Sequence, residues 1–371
     1  MTSIATNRGS ALPRIQAQPL NGFDALRVLG AVLVLYGHAY PLSGAAAPGI
    51  LGNHVQTIGV KIFFVISGYL IARSWLGDAN LRRFAAKRFF RIFPGLAANV
   101  LVTALVFGAL VSTWNLADYL ASPGVVRYLR NLALYPVYDL PGVFENNVYR
   151  VAVNGSLWSL PIEVLMYCTV PLFVTRRERG GWLLQSLWAA IVCGLGVWYV
   201  RVHPLAQPVV VYGSSVGTML DVAGYFQVGA LYALVGADAL RRRWPALALL
   251  AGVAATVDDY VLGEVLLLLL LPYVVLAFGR VHSRVVGRVL GRHDLSYGLY
   301  LYGFPVQQWV ASQWRDASAW QNFALALPLT ALLAATSWLC IERPALRLKP
   351  RAAANAGNDA DSPLAQSQRT R

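Results

Sequence analysis

The sequence predicts an all-α integral membrane protein with about ten transmembrane helices and both termini in the cytoplasm. Three observations predict it. Hydrophobic residues make up 57% of the 371 residues and charged residues only 13%, which is more apolar surface than one soluble core needs. Apolar segments of about 20 residues, the length that crosses a bilayer, recur along the chain. Basic residues gather in alternate connections between these segments, as they do in cytoplasmic loops.

Ten segments are predicted to span the membrane, and the seventh of them is short. They cover residues 24–41, 57–75, 94–113, 156–174, 182–200, 217–236, 244–257, 261–279, 295–313 and 321–341. The organisation that follows is an N-terminal cytoplasmic tail (1–22), one transmembrane domain (23–345) and a C-terminal cytoplasmic tail (346–371). The N-terminal tail lacks the features of a cleaved signal peptide. The C-terminal tail has the composition of a disordered segment.

The distribution of basic residues accounts for the net charge of +14. The connection between the second and third spans is rich in Arg and Lys, whereas the long connection 114–155, which is predicted to lie outside, holds only Arg127, Arg130 and Arg150. Because the positive residues adjoin predicted spans, the orientation rule and anionic lipid explain them. Membrane lipid is therefore an expected partner, and nucleic acid is not.

Two polar side chains share one face of the first predicted span. Arg27 and His38 are eleven residues apart, which returns an α-helix to within about 20° of the same face and raises it by about 16 Å. Neither can face lipid cheaply, so both should face a protein interior or a wet cavity. His38 is a candidate acid or base, because a neutral imidazole can accept and return a proton. Its alternative role is that of a hydrogen-bonded core histidine.

Other charged residues lie in or beside predicted spans. Asp24 is placed to pair with Arg27 three residues away. Lys61 could form a structural pair with Glu163 or Asp221, or each of them could belong to a functional site. Asp24, Lys61, Glu163 and Asp221 all lie in or next to segments where lipid would be unfavourable for a charge.

A basic cluster precedes the third span. In a short helix over residues 82–94, Arg83, Lys87 and Arg91 would form one stripe, with Arg88 beside Arg91. Such a stripe can bind phosphates through several charge-assisted hydrogen bonds. It can equally anchor the chain on anionic headgroups.

The long outer connection 114–155 is rich in aromatic residues. They are Trp114, Tyr119, Tyr128, Tyr135, Tyr138 and Tyr149. These rings could stack on sugar faces or form an interfacial aromatic belt.

Six motifs occur in an order that is typical of one family. They are Arg27 and His38 at their spacing; Phe63-Phe64-Val65-Ile66-Ser67-Gly68-Tyr69-Leu70; Arg88-Phe89-Phe90-Arg91-Ile92-Phe93-Pro94; Asn154-Gly155-Ser156-Leu157-Trp158-Ser159-Leu160 leading to Glu163; Ser296-Tyr297-Gly298-Leu299-Tyr300-Leu301; and Ile341-Glu342-Arg343-Pro344. In these features the chain resembles the membrane-bound acyltransferase-3 family of bacterial enzymes, which add acetyl or related groups to surface sugars.

The resemblance implies a ten-helix O-acyltransferase of the bacterial cytoplasmic membrane. It would take an acyl group, with acetyl as the first candidate, from cytoplasmic acyl-CoA to a hydroxyl of an outward-facing sugar or lipid-linked glycan. His38 would be the essential histidine, Arg27 its partner, and Arg88 and Arg91 part of the acyl-CoA site, with Arg83 and Lys87 as further candidates. Glu163 is a third catalytic candidate, and Ser67, Tyr69 and Trp158 are motif residues of open role. Acyl-CoA would be a substrate, and neither a permanently bound cofactor nor a metal site is expected.

One departure from the family pattern concerns the ninth span. Where relatives often carry histidine, this chain has Gly303 in Tyr300-Leu301-Tyr302-Gly303-Phe304-Pro305. The catalytic role then rests more heavily on His38, acting either as a general base or as a nucleophile that forms an acyl-imidazole. Two other function classes stay open. A transporter would use the buried charges, but no paired broken helices indicate an inverted repeat; a non-catalytic scaffold would tolerate replacement of His38.

Overall fold

The structure is a computed structural model that describes residues 22–150, 152–175, 180–199, 208–236, 244–256, 259–281, 283 and 294–350. Most of these residues are helical. The predicted tails lie almost wholly outside them.

The helices are α1 (Gly22–Leu42), α2 (Val55–Gly77), α3 (Leu81–Leu101), α4 (Gly108–Val111), α5 (Leu116–Ala121), α6 (Pro123–Tyr128), α7 (Ser159–Phe173), α8 (Gly181–Val197), α9 (Val216–Val235), α10 (Trp244–Thr256), α11 (Tyr260–Gly279), α12 (Ser296–Gln313), α13 (Ala319–Ser337) and α14 (Arg343–Arg347). Two antiparallel hairpins of two-residue strands pair β1 (Gly49–Ile50) with β2 (Asn53–His54) and β3 (Val210–Val211) with β4 (Ser214–Ser215).

Among the described residues, six helical segments are long and apolar enough to cross a membrane. They are Gly22–Leu42, Val55–Gly77, Leu81–Val111, Val216–Val235, Val261–Gly279 and Ala319–Arg347. The predicted helical, multi-pass architecture is therefore confirmed. Each of the ten predicted spans contains a helix, but α7, α8 and α10 have only 15, 17 and 13 residues. The number of crossings and the orientation stay predictions.

The third predicted span begins earlier than the sequence indicated. We expected a short basic helix over 82–94 followed by a span over 94–113, but one helical segment runs from Leu81 to Val111. Pro94 lies inside it, and π-helical geometry at Val102–Phe107 joins α3 to α4. Proline removes one backbone hydrogen bond without necessarily ending a helix. The basic residues are consequently part of the long helix and not of a separate connection.

The long connection 114–155 packs into an apolar core that it shares with α3, α7 and α12. It contains α5, α6 and a 3-10 turn, and the rings of Tyr119 and Tyr128 are fully buried. Neither ring can stack on a sugar or face the membrane interface, so both roles considered for these two tyrosines are wrong. Trp114, Tyr135 and Tyr149 remain exposed.

The segment before α7 enters the interior of the bundle. Asn154 and Ser156 are buried, and the Asn154 amide donates to the Leu301 carbonyl oxygen at 2.9 Å. The Tyr300 hydroxyl donates to the Ser156 carbonyl oxygen at 2.8 Å. Irregular backbone at membrane depth is tolerated where protein satisfies its polar groups. This arrangement explains why α7 starts at Ser159 and is short.

The bundle has two ends that position the site. At the basal end, α1 begins at Gly22 and α3 begins at Leu81; at the distal end, α1 ends at Leu42 and α2 begins at Val55. Helices α2 and α9 approach so closely that a Cβ atom at Gly68 would lie only 2.0 Å from the Phe226 carbonyl oxygen. Small residues permit such close packing of membrane helices.

A buried charged cluster joins α2, α9 and α11. The Lys61 ammonium lies 3.0 Å from Asp221 and 2.8 Å from Glu264, and it donates to the Asn53 side-chain oxygen at 2.7 Å. Tyr225 donates to Glu264 at 2.8 Å. Of the two partners considered for Lys61, the structure confirms Asp221 and not Glu163, and it adds Glu264.

Candidate active site

A cavity of about 370 Å³ lies in the basal half of the bundle. Its lining comes from α1, α2, α3, α7, α12 and the segment after α13. Four cationic side chains line it toward the basal end, and Phe63, Ser159 and Tyr300 line it farther in. The four cations are Arg27, Arg88, Arg91 and Lys349.

Arg27 faces the cavity from the first turns of α1. Its guanidinium lies 3.4 Å from Asp24, as the spacing of three residues predicts, and 3.7 Å from Asp294. The pairing of Asp24 with Arg27 is therefore confirmed. Burial opposes the charge of Asp294, but Arg91 and Arg27, together with hydrogen bonds from Ser296, hold the pKa of its carboxyl at about 2. Asp294 is therefore an anion that binds two of the arginines.

Arg88 and Arg91 both line the cavity from α3, but of the two only Arg91 forms an ion pair among the described residues. The Arg91 guanidinium donates to Asp294 at 2.6 Å and lies 5.6 Å from the centre of the Tyr297 ring. Arg88 lies 5.9 Å from the ring centre of Tyr167, and its buried Nε has no hydrogen-bond partner among the described residues. A buried donor without a partner is unfavourable. Arg88 is thus the cation with the greater capacity to bind an added anion.

Arg83 and Lys87 do not line the cavity. Both bind Asp78 in the short connection between α2 and α3, Arg83 at 2.6 Å and Lys87 at 3.0 Å. The hydrogen bond from Arg83, followed by that from Lys87, lowers the pKa of Asp78 to about 2. The basic cluster that the sequence suggested is therefore divided between two places.

Glu163 lies on the cavity wall and accepts hydrogen bonds from two hydroxyl groups. Ser67 donates to it at 2.9 Å, and Tyr167 donates through a short contact. Arg88 also faces the Tyr167 ring. Ser67, Glu163 and Arg88 therefore belong to one connected polar wall.

Two motif residues lie outside the cavity. Tyr69 stacks on Phe23 with ring centres 5.6 Å apart, and its hydroxyl accepts a hydrogen bond from Arg73 at 3.2 Å. Trp158 packs against the largest apolar core immediately before α7. Their contacts are those of packing residues.

His38 lies on α1 at the distal side of the cavity and does not line it. Its ring is 5.1 Å from the ring of Phe304 in an edge-on arrangement, and its buried Nδ1 has no hydrogen-bond partner among the described residues. The alternative of a hydrogen-bonded core histidine finds no partner at Nδ1.

An aromatic pair separates the cavity from His38. The rings of Phe63 and Tyr300 are 5.8 Å apart and line the cavity. Phe304, which contacts His38, is four residues beyond Tyr300 on α12, and four residues correspond to about 6 Å of helix rise. The cavity therefore ends about one helical turn short of the histidine.

The position of the missing family histidine is filled by another side chain. A Cβ atom at Gly303 would lie 2.3 Å from Cδ1 of Leu35, which is closer than two carbon atoms can pack. Leu35 on α1 occupies the space that a side chain at residue 303 would need. A larger residue at position 303 would therefore require the Leu35 side chain to move.

The structure adds site residues that the sequence did not single out. They are Asp294, Ser159, Tyr297, Tyr300 and Lys349. Tyr297 and Tyr300 lie within a recognised motif, and Asp294 lies two residues before it, so the sequence could have indicated all three. Lys349 lies after the last motif, and no local pattern distinguishes it from other basic residues near a membrane.

Comparisons with known proteins agree with these features. The family model described as an acyltransferase domain, that of acyltransferase-3, matches residues 20–342. An O-acetyl transferase of Shigella phage Sf6 is 28% identical over 332 residues, or 87% of this chain and 95% of that protein. Nodulation protein 10 of Rhizobium leguminosarum bv. viciae is 28% identical over 367 residues, or 89% of this chain and 94% of that protein.

A third relative is similar over part of its length. The peptidoglycan O-acetyltransferase OatA of Listeria monocytogenes is 31% identical over 188 residues, or 47% of this chain and 27% of that protein. No solved structure shows significant similarity to the chain. The extent of the family match, in a multi-pass helical protein, shows that the chain belongs to the acyltransferase-3 family and is an O-acyltransferase.

Proposed function

We propose that the protein transfers an acyl group, with acetyl as the first candidate, from cytoplasmic acyl-CoA to a hydroxyl of an outward-facing polysaccharide or other glycoconjugate. Relatives named O-acetyl transferase and peptidoglycan O-acetyltransferase support the reaction and this class of acceptor. The single observation that carries the donor assignment is the cavity with four cations toward its basal end.

The cavity matches the chemistry of an acyl-CoA molecule. Its phosphates need several charge-assisted donors, which Arg27, Arg88, Arg91 and Lys349 supply from three parts of the chain. Its pantetheine arm is long and mostly uncharged, and it would extend along the wall of Phe63, Ser67 and Tyr300. A volume of about 370 Å³ suits the arm and acyl group, and leaves the bulky nucleotide at the basal end.

The acyl group would meet the acceptor near His38. To reach His38, the end of the arm must pass the rings of Phe63 and Tyr300, so these rings must be displaced. The path beyond them to His38 is about one helical turn long. As a general base, His38 would take the hydroxyl proton while the acceptor oxygen attacks the thioester carbonyl. The carbon–sulfur bond then breaks, and the CoA thiolate receives a proton from the imidazolium. As a nucleophile, His38 would instead carry the acyl group transiently.

We place the basal end at the cytoplasmic face of a bacterial inner membrane, with ten crossings and both termini inside. Arg27 near the first described residue and Lys349 near the last line the same cavity. The basic residues of α3 lie at this end too, and such residues favour the cytoplasmic side. The exposed part of the 114–155 connection then faces outward, toward the acceptor.

Labelling of single cysteines tests this orientation. In a background with Cys168, Cys193 and Cys340 replaced by alanine, we introduce Ala85→Cys at the basal end and Val148→Cys at the distal end; both positions are exposed. A membrane-impermeant thiol reagent added to intact cells should label only the Val148→Cys protein. Both should be labelled in permeabilised cells. Labelling of Ala85→Cys from outside would reverse the orientation.

A pair of double variants tests the donor site. Arg88→Ala with Arg91→Ala should raise KM for acyl-CoA by about tenfold to more than a hundredfold, since the loss of one charge-assisted contact costs about 1.5 to 3 kcal/mol. Arg83→Ala with Lys87→Ala removes the same charge from the same helix, but Asp78 already binds those side chains. Its effect on KM should be much smaller. Equal effects of the two variants would show that the cluster acts as a membrane anchor.

A further inference from the structure

The chain after α13 returns to the cavity. Helix α14 (Arg343–Arg347) follows α13 through the π-helical segment Trp338–Glu342, and the next residues bring Lys349 to the cavity beside the arginines. Leu346 lines the same wall, whereas Arg347 between them is exposed and does not. Residues 343–349, which we call the C-terminal segment, lie beyond the residues that the family model matches.

The charges in the cavity are unequally compensated. Asp294 lies within ion-pair distance of Arg91 and Arg27. Among the described residues, neither Arg88 nor Lys349 has an acidic partner in an ion pair. Two unpaired cations from different parts of the chain therefore line one cavity. Such an arrangement favours an anion that both can bind.

We propose that Lys349 binds a phosphate group of the acyl donor together with Arg88, so that the C-terminal segment forms one wall of the donor site. The inference rests on the proposed function, because it takes acyl-CoA as the donor. A phosphate oxygen accepts hydrogen bonds from the Lys349 ammonium and places a negative charge within ion-pair distance of it, which Asp294 does not.

The surroundings of Lys349 make this binding dependent on pH. Burial, and then the positive charges of Arg91, Arg88 and Arg27, lower its pKa to about 8, against the opposing effect of Asp294. An anion binds the protonated ammonium of Lys349 more tightly than the neutral amine. Donor affinity should therefore be highest below pH 8, and KM for acyl-CoA should rise above that pH and level off about tenfold higher, where the charge-assisted contact is fully lost.

The test compares two donors in vesicles of neutral phosphatidylcholine. Acetyl-CoA carries phosphates, whereas acetyl-pantetheine carries none. Lys349→Met should raise KM for acetyl-CoA about tenfold, the lower range for a charge-assisted contact, and leave KM for acetyl-pantetheine unchanged. Lys349→Arg should restore the acetyl-CoA value and remove its rise above pH 8. The matched control Arg347→Met removes an exposed positive charge two residues away and should change neither KM.

Three results would overturn the inference while leaving the proposed function intact. One is an unchanged KM for acetyl-CoA in Lys349→Met. Another is an equal rise in KM for acetyl-CoA and for acetyl-pantetheine in the same variant. The third is an effect seen only when anionic lipid is added to the vesicles, which would assign Lys349 to a lipid headgroup. Absence of acetyl-CoA-dependent transfer by the unaltered protein would instead contradict the proposed function itself, and this inference with it.

Discussion

The His38→Ala variant is expected to lose acyl transfer while it still folds and inserts into the membrane. Positioned proton transfer contributes about a hundred- to ten-thousandfold in rate, and His54, the other histidine among the described residues, is exposed before α2. Folding should survive because the Nδ1 atom makes no hydrogen bond that the substitution would break. Acyl groups on surface polysaccharide are measured in cells, with the protein quantified in the membrane fraction.

A matched histidine substitution controls for this variant. His54→Ala alters an exposed histidine before α2 whose side chain caps no helix, and it should retain full transfer. Full acylation by a well-expressed His38→Ala protein would contradict the catalytic role. It would show that a group other than His38 performs the proton transfer or carries the acyl group in this O-acyltransferase.

Replacement of Lys61 is expected to have the largest effect on stability. Its ammonium is fully buried between Asp221 and Glu264. Removal of one partner from a buried ion pair costs about 3 to 5 kcal/mol, because the remaining charge is left uncompensated. Lys61→Met retains much of the apolar volume but removes the charge. Its thermal unfolding midpoint in detergent, and its level in the membrane fraction, should fall clearly below those of the unaltered protein.

A second substitution separates charge from packing at this cluster. Glu264→Gln in the Lys61→Met background removes one of the two uncompensated carboxylates, so it should recover part of the lost stability. No recovery would indicate that Lys61 acts through packing of its side chain. A Lys61→Met protein as stable as the original would show that this cluster contributes little to holding α2, α9 and α11 together.

Contacts within one helix or one short connection were accessible to sequence reasoning. The ion pair of Asp24 with Arg27 follows from helical spacing, and it was predicted. Asp78 lies only five residues before Arg83, so this ion pair could also be predicted from the sequence, although the basic stripe by itself does not indicate it. Asp294 lies between the basic residues of the 280–292 connection and a recognised motif, so it too could be proposed from the sequence as a partner for an arginine.

Contacts between distant parts of the chain could not be obtained in this way. Lys61 donates a hydrogen bond to Glu264, which is 203 residues away in sequence. Arg91 donates to Asp294 at the same sequence separation. A single sequence shows which charges need partners at membrane depth, but helix packing selects the partner. For this reason Glu163, a candidate partner for Lys61, instead accepts hydrogen bonds from Ser67 and Tyr167.

By itself, the sequence determined the helical membrane class, the family, and the placement of Arg27 and His38 on one helix, because apolar length and helical spacing are local properties. Only the tertiary structure decided that Arg88 and Arg91 line the cavity while Arg83 and Lys87 bind Asp78, that Lys349 joins them, and that Phe63 and Tyr300 stand between the cavity and His38. These outcomes depend on how helices from distant parts of the chain pack, since packing brings each charge to its counterion and each ring to its neighbour.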